Sequence, residues 1–396
     1  MSNLSPRARW AVPAVVGAVV AAAFIAPPLV ASASSEELPA ISPQQLVTAV
    51  AEARDQPLSG TVVYTARLGL PSLPLGDMAG ASPVNLLDGS STMRVWTDGV
   101  DRSRAALLGA TSEYSVVRDG PQAWTYSSTD DAVVHYVIDA KDRARYDALQ
   151  QDPPVAGDLP TPAAAASSVL GLVQQFSSVT LDAQSTVAGR AAYNLVVTPK
   201  STTTLIGHVV VSVDAKTSTP LRVQVWDRTS KTPAVEVGFT DIRFATPSDS
   251  VLSFSAPAGA SSKEVSVPLP ETPAAAHSAT VPDGTTVTGT GWDTVVQLAG
   301  VDVAGLLAGD ADALSTVPGS APAIGSKSGQ KLLEEFGADG SSKVRDLDLG
   351  TLFGQITKPV PGGRLITTKL VSILVTDDGR VLVGAVPGAT LQADAR

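Results

Sequence analysis

From Gly60 to Phe254 the chain alternates apolar and polar residues with period two, in short runs set apart by Gly, Pro, Asp and Ser clusters. Alternation of this kind sends successive side chains to opposite faces of a pleated strand, and it constrains the fold more than any other feature of the sequence. Strands are predicted at Thr61 to Leu68, Thr92 to Thr97, Arg104 to Leu108, Tyr114 to Val117, Ala123 to Tyr126 and Val133 to Ile138. More follow at Ala192 to Thr198, Leu205 to Val213, Leu221 to Trp226, Ala234 to Phe239 and Val251 to Phe254. Parallel neighbours need long crossovers, usually helical, and few helix signals lie between these runs, so the strands are read as antiparallel meanders. The turns agree. Arg118-Asp119-Gly120 is a tight hairpin signal, and Asp214-Ala215-Lys216-Thr217 is a polar loop between two strands. The fold class is therefore mainly β, within α+β.

Two helices are predicted around this sheet. Ser42-Pro43-Gln44-Gln45 supplies an N-cap hydroxyl, a proline at the first helical position and a capping-box glutamine ahead of Leu46, Val47, Val50 and Ala51. A second helix starts at Thr161-Pro162 and carries Val169, Leu170, Val173 and Phe176 on one side, suited to covering a sheet face. Periodicity is lost from Pro257 to Gly284, where Ala, Pro, Ser and Thr dominate. Beyond it, Trp292 to Leu307 and Val344 to Ile356 read as helices. Leu365 to Val375 and Val381 to Val386 flank an Asp377-Asp378-Gly379-Arg380 turn and read as a hairpin. The domain boundaries drawn are 34–270 for a β-rich domain, 271–284 for a linker and 285–396 for a C-terminal extension.

Arg7 and Arg9, an apolar run from Trp10 to Ala26, and Ala31-Ser32-Ala33 follow one another as a secretory signal peptide does, predicting a start near Ser34. The competing reading keeps residues 1–33 as a membrane anchor, because Trp10 to Val30 approaches the roughly 20 residues that cross a bilayer. Either way the remainder is placed outside the cytoplasm, secreted or held at the outer face of the cytoplasmic membrane. Without residues 1–33, which carry those two arginines and no acid, the formal charge moves from −10 to −12. An acidic chain argues against nucleic acid, whose binding rests on neutralising phosphates. There is no cysteine, which rules out disulfides, thiolate metal sites, a Cys nucleophile and lipid attachment through cysteine.

No convincing catalytic centre emerges. His135 and His208 fall in strands and His277 in the linker, without metal-ligand spacing, so structural histidines are expected and neither a metal nor a cofactor is predicted. Ser328-x-x-Lys331 matches two residues of the penicillin-interacting serine enzymes, but neither Ser-Asp-Asn nor Lys-Thr-Gly follows. Glu334 with Glu335, and Asp377 with Asp378, are adjacent in sequence, whereas paired acid/base work needs opposed carboxylates.

Taken in order, Met93 to Gly109 (MRVWTDGVDRSRAALLG), Val116 to Ile138 (VVRDGPQAWTYSSTDDAVVHYVI) and Gly189 to Lys200 (GRAAYNLVVTPK) form a chain of motifs. It continues with Val209 to Asp227, Val235 to Phe244 and the closing Ser253-Phe254-Ser255-Ala256-Pro257-Ala258-Gly259. The series resembles the LolA-like lipoprotein-localisation superfamily, which includes LolA, LolB, LppX and the RseB/MucB sensors. It covers about residues 40–262. The resemblance implies a strongly curved, incomplete antiparallel barrel with helices over its open side, enclosing an apolar cavity for acyl chains. The Ala-, Val- and Gly-heavy composition suggests an actinobacterial-type member, and the C-terminal extension has no counterpart in the short carriers.

Under that resemblance the cavity lining falls to Leu68, Leu70, Leu73, Trp124, Tyr126, Val209, Val211, Val213, Val223, Val225, Val237 and Phe239. Trp124 and Tyr126 are two apart on one face of a strand, either as a cavity wall or as ordinary sheet core. The segment around Leu68, Leu70 and Leu73 is too proline-rich for a regular strand and reads as a lid, a membrane contact or a loop tucked over the core. The expected function is a non-enzymatic, extracytoplasmic carrier or chaperone of a lipoprotein or lipid, with an ABC transporter or a membrane-bound regulator as protein partner. The alternatives are an RseB-like envelope-stress sensor and a β-rich binding module without a cavity.

Overall fold

The computed structural model describes residues 38–70 (without 54), 81, 86, 88–151, 170–267 (without 172), 284–308 and 349–396. The predicted segment 1–33, most of the helix begun at Thr161, and His277, Ser328, Lys331, Glu334 and Glu335 lie outside these. Strand dominates, at 48% against 18% helix.

Twelve strands form one curved sheet that does not close into a barrel. They are β1 (Leu58–Ala66), β2 (Gly89–Thr97), β3 (Arg102–Leu108), β4 (Glu113–Asp119), β5 (Gln122–Ser127), β6 (Ala132–Ile138), β7 (Ser177–Val187), β8 (Arg190–Pro199), β9 (Ile206–Asp214), β10 (Pro220–Asp227), β11 (Val235–Arg243) and β12 (Ser261–Val267). The spatial order is β12-β6-β5-β4-β3-β2-β1-β11-β10-β9-β8-β7. Two meanders are thus joined along β1 and β11. The β12–β6 pair is parallel and the other pairs are antiparallel.

Curvature has identifiable causes. Register shifts occur between Thr61 and Val62 and between Asp182 and Ser185, and bulges of this sort bend and twist a strand. At the first of them Gly60 lies under the Phe239 ring and against the Asp241 carbonyl, leaving no room for a Cβ. As a result Val187 and Ala192, from β7 and β8, meet Val62, Val95 and Phe239, from β1, β2 and β11, in one buried cluster. The face of β1, β2 and β11 that carries Val62, Val95 and Phe239 is the inside of the curve, and the turn end of the β7–β8 hairpin meets it there.

After β11 the chain crosses the outside of the sheet. A helical turn, Asp249–Leu252, packs on β2, β3 and β4; Phe254 then stacks on Trp124 of β5, and β12 lies beside β6. The strand expected at Val251 to Phe254 is replaced by this strap. Its apolar residues at 252 and 254 alternate because they face the sheet beneath, not because they pair in a ladder. β12 falls inside the stretch whose lost periodicity suggested a linker; as an edge strand it buries Val265 and leaves several polar neighbours outside. β7 escaped prediction for a similar reason: its edge position permits Ser178, Asp182, Ala183 and Gln184 to face solvent.

The C-terminal part forms a second sheet. Its strands are β13 (Thr285–Thr288), β14 (Val295–Leu298), β15 (Lys358–Val360), β16 (Gly363–Thr367), β17 (Ser372–Thr376) and β18 (Val381–Gly384), in the order β13-β14-β18-β17-β16-β15. The helix Gly388–Asp394 covers it, and Leu391 joins Val295, Leu374, Leu382 and Val386 in its core. The predicted hairpin is present as β17 and β18, but the run from Leu365 is broken by a turn at 368–371 into two strands. Trp292 to Leu307 is not one helix. A 3-10 turn at Gly291–Asp293 and strand β14 precede a short helix at Val303–Ala308. Gly289, Gly291 and Gly300 take positive φ, and the β-branched pair Val295-Val296 prefers a pleated surface, so the apolar spacing misled. Among the described residues no helix is long and apolar enough to cross a membrane.

Candidate functional site

Strand register assembles the inner face. Val223 lies opposite Val211 on one side and Val237 on the other, and Val225 opposite Val209 and Val235. Directly opposed residues in an antiparallel pair share a face, so Val209, Val211, Val213, Val223, Val225, Val237 and Phe239 belong together. All are buried, Val225 being the most exposed at 8%. The face continues through β1 to β4: Phe239 opposes Val62, Val62 opposes Met93, Met93 opposes Leu107, and Leu107 opposes Tyr114. Val116, two residues on, is 40% exposed. Burial raises the pKa of the Tyr64 hydroxyl, and that of Tyr114 against an opposing hydrogen bond with Thr125. The inner surface is thus apolar along the valine strands and carries polar groups only at scattered points.

Three elements cover its β8 to β11 half. The helix Pro43–Glu52 is fixed by its capping box, in which Ser42 Oγ accepts the Gln45 N–H while Gln45 Oε1 accepts the Ser42 N–H; this aims Leu46 and Val50 at the valines. From the second sheet come Trp292 and Leu370, both buried against Ile206, Val209, Val225 and Ala234. Phe176, at the end of the helical residues 170–176, packs beside them, and Gly291 leaves room for its ring, since a Cβ there would collide with it.

Trp124 and Tyr126 are not part of this assembly. Trp124 opposes Val117 and His135, so it lies on the outer face, the opposite one from Val62 and Phe239. There it is stacked between His135, with ring centroids 4.8 Å apart, and Phe254, at 5.7 Å. His135 in turn contacts Gln122 Oε1 through Nε2 at 2.8 Å and Glu264 Oε2 through Nδ1 at 3.2 Å. Tyr126 donates its hydroxyl to Asp131 Oδ1. The residues that share the valines' face from this region are Met93, Leu107, Tyr114 and Val116, which periodicity alone did not single out. The Asp119-Gly120 hairpin signal contained the answer. It pairs Asp119 with Gln122, and counting back from that pair places Trp124 opposite Val117, not Val116.

Leu68 is half-buried against the inner cluster and its carbonyl accepts the Lys369 N–H at 2.8 Å; Leu70 is half-buried, and Leu73 lies outside the described residues. His208 stacks on Trp226 on the outer face; burial lowers its pKa, against the opposing charge of Asp182. Asp377 and Asp378 line a cavity of about 300 Å³ in the second sheet, where Asp378 pairs with Arg380 at 2.9 Å. Among the described residues no group of three His, Asp or Glu side chains is arranged to hold a metal ion.

No family model matches the chain, and no curated protein does. Solved structures do. The MucA/MucB complex of Pseudomonas aeruginosa is matched over 89% of this chain and 96% of that one, at 17% identity and a TM-score of 0.40. A LolA superfamily protein from Nitrosomonas europaea is matched over 54% of this chain and 99% of its own, at 10% identity and a TM-score of 0.22. An uncharacterized conserved protein from Thermus thermophilus is matched over 56% and 98%, at 12% identity and a TM-score of 0.32. At such identities and TM-scores the likenesses say nothing of activity.

Proposed function

We propose that the protein is a non-enzymatic, extracytoplasmic binder of acyl chains, acting as a carrier or chaperone for a lipid or lipoprotein on the inner face of the curved sheet. The observation that carries this reading is the continuity of that face. Val209, Val211, Val223, Val225, Val237, Phe239, Val62, Met93 and Leu107 follow one another across neighbouring strands without a charged side chain. Each methylene moved from water to such a surface contributes about 0.8 kcal/mol, so a partly inserted chain would bind without polar recognition. The elements over the face, a ten-residue helix, Phe176, and Trp292 with Leu370 from the second sheet's part of the chain, are not strands of the ladder that bears the valines.

A second reading, a sensor that reports to a membrane-bound regulator, is favoured by one feature. Trp292 and Leu370 join the second sheet to the same cluster as the valines, so an occupant of the inner face would press on the C-terminal part directly. Native mass spectrometry with lipid extraction of the exported protein tests the main reading. Bound lipid, or uptake of a fluorescent fatty acid, is expected; protein that is empty and takes up none overturns it.

A further inference from the structure

The chain is acidic, at −10, yet one rim of the curved sheet gathers cations that, among the described residues, form no ion pair with a carboxylate. This rim is the end where β1 leaves and β9 and β11 enter, built by the segments 66–70, 200–205, 227–234 and 368–371. Backbone bonds knit them together. Arg67 N–H reaches the Ala234 carbonyl at 2.7 Å, Lys369 N–H the Leu68 carbonyl at 2.8 Å, and Arg228 N–H the Leu205 carbonyl at 3.3 Å.

These segments carry Arg67, Lys200, Arg228, Lys231 and Lys369. Where their charged groups are engaged, the partners are main-chain carbonyls. Arg67 Nη1 donates to Pro233 at 3.4 Å, Arg228 Nε to Thr204 at 2.6 Å and Nη2 to Ser201, and Lys200 Nζ to Gln174 at 2.6 Å. Of the acids nearby, Asp227 is buried and accepts from Thr229 and Ser230, Asp293 accepts from Ser201 and Thr203, and Glu236 lies opposite Thr65 of β1. At the opposite end of the sheet carboxylates do pair with arginines, although Arg118 there reaches only the Gly120 carbonyl. Arg102 pairs with Asp249 and Asp119, and Arg190 with Asp214.

We infer that this rim is a docking surface for an anionic lipid membrane. Positive charge left unpaired in an acidic chain gives the molecule an orientation in the field of an anionic surface, which repels the rest of it. Leu68 and Leu70, half-buried between Arg67 and Lys369, supply apolar contact at the same place. Ile206, Ala234 and Leu370, all in the cluster that covers the valines, lie directly behind these loops, so the docked rim brings the bilayer to the end of the inner face. The inference rests on the reading of an extracytoplasmic protein working beside a membrane, but not on that face holding an acyl chain.

The absence of cysteine allows a clean test on the full chain. A polarity-sensitive dye is attached at Thr232→Cys on the rim and, separately, at Val100→Cys, which lies in the turn between β2 and β3 at the opposite end and is 83% exposed. Vesicles containing phosphatidylglycerol should shift the rim dye and not the Val100 dye, phosphatidylcholine vesicles should shift neither, and raised salt should reverse the effect. Since each basic residue near such a surface strengthens binding roughly fivefold, the triple change Arg67→Gln, Lys231→Gln and Lys369→Gln should weaken it about a hundredfold. The matched change Arg118→Gln, Lys141→Gln and Lys216→Gln, away from the rim, should not, and the two variants should melt alike. Equal loss in both variants, no preference for the anionic vesicles, or capture of a polyglutamate peptide in place of vesicles would overturn the inference. Fatty-acid uptake measured without vesicles separates its failure from that of the proposed function.

Discussion

The indole N–H of Trp292 donates to Ser177 Oγ at 2.7 Å, with both side chains buried where the second sheet meets the first edge of the curved one. Around this bond the two sheets share main-chain contacts as well. The Ala385 carbonyl accepts both the Leu205 N–H and the Thr204 hydroxyl at 2.7 Å. A buried hydroxyl left without its donor loses a bond that it cannot replace with water.

Trp292→Phe should therefore cost about 1–2 kcal/mol, most of it the unpaired Ser177 hydroxyl, whereas Trp292→Ala should cost about 3–5 kcal/mol through the cavity it leaves. The larger change should also loosen the junction. Urea unfolding followed by circular dichroism should go from one transition to two, and a single unchanged transition would show that Trp292 does not couple the sheets.

The outer position of Trp124 separates two substitutions. Val116→Arg puts a charge on the inner face at a site exposed enough to tolerate it, and should cut fatty-acid uptake at least tenfold with little loss of stability, since surface changes usually stay within about 0.5 kcal/mol. Trp124→Ala removes the ring between His135 and Phe254, and should cost about 3 kcal/mol while uptake persists. The reverse pattern would return Trp124 to the ligand face.

These two residues also mark how far the sequence could be read. Strand existence was legible because period two survives wherever one face is buried and the other wet, as in β9 to β11. Face identity was not. The inner surface is buried at Val62, Val95 and Leu107, but in β4 it is the outer residues Ser115 and Val117 that are buried, under the strap. A Trp-x-Tyr pair there resembles a cavity wall, although its burial comes from Phe254, more than a hundred residues later. The cover of the valines was hidden for the same reason. Trp292 and Leu370 reach them from a different sheet, a contact that no local pattern encodes.

Acid sensitivity should appear in two steps. His208 has its folded pKa lowered by burial, so the unfolded state takes up the proton first, and stability falls as pH drops through the ordinary histidine value near 6.5. Burial alone would raise Asp227, but hydrogen bonds from Ser230 and Thr229 bring it down to about 2. A carboxylate depressed in this way stabilises the fold above its unfolded pKa, and the contribution, on the order of 2 kcal/mol, is lost as pH falls from about 4 to 2. Asp214 acts in the same direction through Arg190 and Thr217, despite its own burial. In urea midpoints measured from pH 7 to 2, His208→Phe should flatten the upper step and Asp227→Asn part of the lower one. Unchanged slopes in both variants would place the titrating groups elsewhere.

The division at residues 271–284 leads to the final prediction. Among the described residues, no strand of residues 285–396 pairs within the twelve-stranded sheet, so removing everything after Pro270 breaks no rung of that ladder. It does strip Trp292, Leu370, Val371 and Ala385 from the cluster around Val209 and Val225, exposing apolar surface that water covers at about 25 cal/mol per Å². The truncated protein should keep its β-sheet spectrum, melt at a lower temperature, and bind a hydrophobic dye and a fluorescent fatty acid more readily than the full chain. Lys369 N–H also leaves Leu68, so the loop after β1 should become more accessible to protease. Loss of the sheet spectrum altogether would mean that Trp292 and Leu370 are part of a single cooperative core, and that the two sheets fold only together.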